Sequence, residues 1–218
     1  MERADSGLAA MDGDDLARAS LKDRVLDAWA DMRASTRRLL REEPSEARLL
    51  FYVMLSDIIF FLSWTIKTVV APTAAAQAKL PAQIGMWLVL ALLARTSFMY
   101  ALAAGLRIVC RVFGGAAGWW ETRLAVFWGA LVSAPFGLAA ALLTVAMSWF
   151  EDDFPILRHD MLALPPYYVG LIPFLFFISC ALAEVHGFRR MGFLFMGLSV
   201  AAVALSVFTV YLAARGVV

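Results

Sequence analysis

Charge is scarce in this 218-residue chain. Only 17% of its residues are Asp, Glu, Lys or Arg and 62% are hydrophobic, whereas a soluble domain averages about 25% and about 45 to 50%. With a mean hydropathy of +0.74, that shortage excludes an ordinary water-soluble enzyme. Cysteine is scarce as well. Cys110 and Cys180 stand alone without CxxC or Cys/His spacing, which excludes a disulfide framework and a thiolate metal centre, and they read as small apolar fillers. Histidine occurs only at His159 and His186, and the chain has no HExxH, GxSxG or Walker pattern. Hydrolytic, nucleotide and metal chemistry therefore have no signature to rest on, and no cofactor is implied. Neither charge sign dominates: the net charge is +1, which excludes a basic nucleic-acid binder. Residues Met1 to Asp15 are polar and acidic. They lack the apolar core of a cleavable signal, so the first apolar span is expected to serve as its own insertion signal. Lysine is confined to Lys22, Lys67 and Lys79, with arginine taking every other basic position, a bias that suits a GC-rich bacterial genome.

What charge there is gathers at the front. Residues 1–48 hold 9 of the 19 basic and 11 of the 18 acidic residues, which makes them a polar arm on a membrane body. Asp14 or Asp15 can cap a helix there. Leu21, Val25, Ala28, Met32 and Leu39, with Trp29 beside them, recur at helical spacing, so an amphipathic cytoplasmic helix is expected over about 14–42. Its basic end, Arg33, Arg37, Arg38 and Arg41, stops short of Pro44. Such a helix would lie on the inner leaflet, attracting anionic headgroups, or on the bundle, or would dock a protein partner.

An all-α polytopic fold is expected beyond the arm, in a membrane domain covering 49–213. Five apolar stretches are long enough to span, at about 49–70, 84–106, 124–147, 167–185 and 192–212. The short loops then sort by charge. Arg33, Arg37, Arg38, Arg41, Arg48, Arg107, Arg111, Arg123, Arg189 and Arg190 fall on one side, and only Lys79, Arg158 and Arg215 on the other. The positive-inside rule puts the amino terminus in the cytoplasm and the carboxyl terminus outside. Aromatic residues at the span ends and the acidic outer loop with Glu151, Asp152, Asp153 and Asp160 agree with that map.

Small residues suggest how spans pack. Gly129, Ser133, Gly137 and Ala141 recur every fourth residue on span three, as do Ser97, Ala101 and Gly105 on span two. Close backbone approach at such stripes predicts that these two spans form an antiparallel pair. Two charges fall within spans. Asp57 and Arg95 lie about eight and eleven residues from the inner ends of their helices, depths that differ by about 5 Å, so an ion pair is expected. Either charge left alone would cost roughly 2.5 to 3.5 kcal/mol on insertion scales. The pair would fix packing, or else line a proton or ion path.

At the inner edge, span four ends in Ala183-Glu184-Val185-His186-Gly187-Phe188-Arg189-Arg190. From the residues alone this is a tight hairpin bent at Gly187, with Glu184 bonded to an Arg and His186 to a backbone carbonyl. This segment, continued by Met191-Gly192-Phe193-Leu194-Phe195-Met196-Gly197 and preceded by the turn Arg111-Val112-Phe113-Gly114-Gly115, resembles the Yip1 family as found in alphaproteobacteria. The resemblance covers about 49–213, with the arm as an addition. It implies a polytopic protein with a cytoplasmic amino terminus, related in fold to eukaryotic proteins that bind small GTPases and shape secretory membranes. That role has no counterpart in bacteria. The expectation is a non-enzymatic bacterial inner-membrane protein that scaffolds or binds a partner through its arm and loops. The alternative is a small transporter or channel subunit using Asp57 and Arg95.

Overall fold

The computed structural model describes residues 20–70, 80–150, 153–154, 156 and 170–215. Among the described residues all regular structure is helical, in seven helices: α1 Leu21–Ala30, α2 Met32–Glu42, α3 Glu46–Val70, α4 Leu80–Val112, α5 Trp119–Trp149, α6 Leu171–Val185 and α7 Gly192–Ala214. Three are long and apolar enough to cross a membrane: α3 over Glu46–Ile66, α4 over Leu92–Val112, and α5. The apolar stretches of α6 and α7, Leu171–Val185 and Gly192–Phe208, are shorter. The acidic outer loop lies mostly outside the described residues, as do Lys79, Arg158 and His159.

The axis of the fold is α5, which packs against α3, α4 and α6 and also meets both arm helices. Residues 122–133 of α5 are buried on every face. Tyr52 of α3 packs on Trp128 at 5.2 Å between ring centroids, and Tyr100 of α4 meets Phe127 edge-on at 4.9 Å. Beyond Pro135 the second half of α5 is only partly covered. The final helix, α7, touches mainly α6, and Met196, Val200 and Val203 are each at least 63% exposed. An apolar face of that kind suits lipid rather than water.

The arm is a hairpin. Where one helix over 14–42 was expected, the chain breaks at Asp31 (φ −146°, ψ 94°), and residues 14–19 lie outside the described residues. Aspartate forms helix interiors poorly but caps well, and the Asp31 carboxylate accepts from Ala34 N at 2.9 Å to start α2. Ser20 caps α1, accepting from Asp23 N at 3.2 Å, while Asp14 and Asp15 lie outside the described residues. Arg24 with Glu42 (2.8 Å) and Arg38 with Asp27 (3.1 Å) hold α1 against α2. The amphipathic face is spent on the bundle: Ala28, Met32 and Leu39 belong to the main core. Trp128 Nε1 donates to Ser35 Oγ (3.2 Å), and Trp29 Nε1 to the Val132 carbonyl (2.8 Å).

The small-residue stripes do not meet as expected. On α5 the stripe faces α6: a Cβ on Gly129 would lie 2.9 Å from Ile178 Cγ1, and one on Gly170 would lie 3.1 Å from Gly137 Cα. Ser133 and Ala141 are buried. Ser97, Ala101 and Gly105 of α4 are exposed, and a Cβ on Gly105 would meet nothing within 4 Å. It is the opposite face of α4, with Met99, Ala103, Leu106 and Cys110, that enters the core. Met99 and Leu106 on that face bury more apolar surface than the small face could.

Gly129→Val should therefore lower the thermal midpoint in detergent, at a cost of about 1 to 3 kcal/mol, because Ile178 and its backbone must move. Gly105→Ala should leave it unchanged or raise it, by up to about 1 kcal/mol from helix propensity. Equal losses at the two positions would contradict the packing described.

Candidate functional site

Two polar clusters stand out in an otherwise apolar bundle. In the first, Arg95 of α4 pairs with Asp57 of α3, and its Nη1 also donates to Ser56 Oγ at 3.0 Å. Thr96 Oγ1 donates to the other Asp57 oxygen at 2.6 Å, and the Phe60 ring lies 4.6 Å from the guanidinium carbon. The Asp57 side chain is 0% exposed and that of Arg95 16%. A carboxylate with donors on both oxygens and a guanidinium facing an aromatic ring form a compact, satisfied unit. Ser56 and Thr96 are neighbours in sequence of the two charges, and that adjacency was the available signal for their part in it.

The second cluster is the edge expected on the inner side, where α4 and α6 end and α5 begins. Here α4 ends with Gly115 N bonded to Cys110 O (2.8 Å) and Gly114 N to Arg111 O (3.0 Å), with Gly114 at φ +86°. The end of α6 is built the same way: Phe188 N to Ala183 O (2.7 Å), Gly187 N to Glu184 O (3.2 Å), and Gly187 at φ +74°. Both are Schellman caps, in which a left-handed glycine lets two amides satisfy the last carbonyls of the helix. The caps touch, since a Cβ on Gly115 would lie 2.5 Å from His186 Nδ1. That residue is therefore glycine for room rather than for its backbone angle.

His186 bonds differently from the expected carbonyl contact. Its Nε2 lies 3.3 Å from Thr122 Oγ1, whose own proton is directed to Gly118 O at 2.8 Å. The Nε2 must then carry the proton and donate. Nδ1 is buried with no hydrogen-bond partner. Burial pushes the pKa of this imidazole down; Glu121 opposes the shift, while Arg107 and Arg111 reinforce it. The ring stacks near Phe188 (5.8 Å), which meets Phe193 edge-on (5.0 Å).

Glu184 meets the arm. Arg37 Nη1 lies 2.9 Å and Arg33 Nε 3.7 Å from its carboxylate, and Arg33 Nη2 donates to the Phe188 carbonyl at 2.6 Å. These partners lie about 150 positions away and no local spacing announces them. Arg123 pairs with Glu46 at the start of α3, and Arg189 is exposed.

A family model, the Yip1 domain, matches residues 27–212. The chain belongs to the Yip1 family. The match begins inside α1 and runs through to α7. No curated protein and no solved structure matches the chain. As a Yip1 protein with several long apolar helices, it is a multi-pass membrane protein.

The lowered pKa of His186 sets the sign of an acid effect. Its ordinary value is 6.5, and the folded state favours the neutral ring. The stability this gives is complete above about pH 6.5 and is lost as the pH falls toward the depressed folded value. The detergent melting midpoint should drop between pH 7 and pH 5 by more in the wild type than in His186→Gln, measured side by side. Parallel curves would remove His186 as the source.

Proposed function

We propose that this Yip1 protein is a non-enzymatic scaffold of the bacterial inner membrane. In this reading it spans five times, α3 to α7, with the amino terminus cytoplasmic, the carboxyl terminus periplasmic and the arm folded onto the inner ends of the spans. The clustering of Arg33, Arg37, Arg107, Arg111, Arg123, Arg189 and Arg190 at one end of the bundle supports that orientation. The observation that carries the scaffold reading is the state of Asp57, which is enclosed and accepts from Arg95 and Thr96. A transport path needs its charges to face a continuous hydrated route, whereas a scaffold can hold them paired and dry. The runner-up, a small transporter or channel subunit using Asp57 and Arg95, is the reading that this pairing disfavours.

A scaffold needs a surface to offer. Lys22, Asp23, Leu26 and Ala30 form one exposed stripe along α1, with Leu26 45% exposed. This is the arm face left over once Ala28, Met32 and Leu39 have been spent on the core, and it fits a protein partner in the cytoplasm.

Three measurements test this. Asp57→Ala strands a guanidinium, and should destabilise the detergent-solubilised protein by about 3 kcal/mol. The double variant Asp57→Ala/Arg95→Ala should recover part of that loss, and liposomes of wild-type protein should pass no protons or sodium; flux abolished by Asp57→Asn would establish the transporter instead. For orientation, a cysteine at position 22 should react with impermeant reagent only from the cytoplasmic side and one at 153 only from outside, and the reverse pattern would invert the topology. For scaffolding, wild type should enrich specific proteins from native membranes, and Leu26→Arg should lose them while melting normally. No difference between the two would remove α1 as the docking face.

A further inference from the structure

Arginine is used in two ways in this fold. Arg24, Arg33, Arg37, Arg38, Arg48, Arg95 and Arg123 each meet a carboxylate within the chain. The basic end of the arm, the segment expected to draw anionic headgroups, is therefore largely neutralised internally. Arg107, Arg111, Arg189 and Arg190 have no ion pair among the described residues, and all four sit at one edge. Arg107 and Arg111 are one turn apart at the end of α4, and Arg189 and Arg190 form the α6–α7 turn. The two segments adjoin, because Gly115 abuts His186 and Phe113 lies 6.3 Å from Phe193. Arg107 Nε is shielded from water yet has no acceptor, which leaves an N–H in need of one. Glu121 on the first turn of α5 is the carboxylate that faces His186 beside these arginines, so positive charge remains in excess.

Apolar surface runs directly beside that charge. Val112 is 78% and Phe113 65% exposed, with Ile108, Phe193 and Met196 also uncovered. Four unpaired guanidiniums bordering exposed hydrocarbon have the polarity of a lipid: phosphate at one end, acyl chains at the other. We infer that the edge between the α4 terminus and the α6–α7 turn binds an anionic phospholipid of the inner leaflet, its phosphate held by Arg107, Arg111, Arg189 and Arg190 and its chains laid along Ile108, Val112 and Phe193. The lipid comes from the surrounding bilayer, since the apolar strip gives a free phosphate nothing to bind. This inference rests on the membrane reading of the chain but not on the scaffold role, whose test is protein capture.

The full chain, purified in detergent, is titrated with phosphatidylglycerol or phosphatidylcholine, and retained lipid is counted by native mass spectrometry. Phosphatidylglycerol should be retained in clear preference. That preference should fall about fivefold for each arginine neutralised, in Arg189→Gln/Arg190→Gln and further in the variant that adds Arg107→Gln and Arg111→Gln. Arg41→Gln on the arm should keep it. Melting in phosphatidylcholine identifies folded variants, and the Arg189/Arg190 pair, exposed and unbonded, serves if the quadruple variant fails to fold. Equal retention of the two lipids by wild type, or undiminished preference in the folded variants, overturns the assignment. So does full displacement of phosphatidylglycerol by an equal concentration of inorganic phosphate.

Discussion

A guanidinium does not shed its proton in a protein, and hydrocarbon does not accept it bare. A membrane protein with sixteen arginines must therefore place every one against a carboxylate, a headgroup or water. This chain does so by position. The arginine deepest among its helices, Arg95, has a dedicated carboxylate with two hydroxyls in support. Those at the junction of arm and bundle are tied to acids on another element, Arg33 and Arg37 to Glu184 and Arg123 to Glu46. Each such pair is also a crosslink, so neutralising charge and fixing the arm on the bundle are one event. Pairs exposed on both sides would contribute little; here one partner of each, Glu184 or Arg123, is largely covered, and the pairs join elements far apart in sequence.

The half of the fold that carries these arm-to-bundle pairs is correspondingly a sealed collar. Three turns of α5 are covered on all sides by α3, α4, α6 and the arm hairpin; Trp29 of the arm bonds Val132 within that collar and packs on Phe136 just beyond Pro135. In lipid there is no hydrophobic drive between helices, so packing and hydrogen bonds have to hold them together. The collar is where those are densest. The other half, with fewer polar contacts and more exposed apolar surface, is the half suited to lipid.

How much of this could be read from the sequence differs by feature, for physical reasons. Asp57 and Arg95 could be matched because depth along a span is a one-dimensional quantity counted from the ends. The left-handed Gly187 and the pairing of Glu184 with some arginine followed from local chemistry. Which arginine it would be could not be read: a single aspartate at position 31 turns the arm back on itself, and Arg33 and Arg37 reach α6 only because of that turn. The small-residue stripes misled for a related reason. A stripe says that a neighbour can come close without naming it, and α5 used its own on Ile178 and Gly170 of α6 while that of α4 faced outward.

The segment that carries the family resemblance looks at first like a reactive site, with a glutamate, a histidine and an arginine close together. The glutamate, the histidine and the glycines around them have structural work. Gly114 and Gly187 take left-handed angles that L side chains rarely adopt, and Gly115 is bare because the His186 ring occupies the space a methyl would need. His186 donates to Thr122 and so ties the end of α6 to the first turn of α5, while Glu184 anchors the arm through Arg33 and Arg37. The Phe188 carbonyl that accepts from Arg33 is one peptide from the unpaired Arg189. Once capping and anchoring have taken those groups, what the inner edge still presents to its surroundings is charge next to apolar surface. In the lipid reading this is a means of holding a phosphate beside acyl chains, and that reading turns on which arginines lack a carboxylate among the described residues.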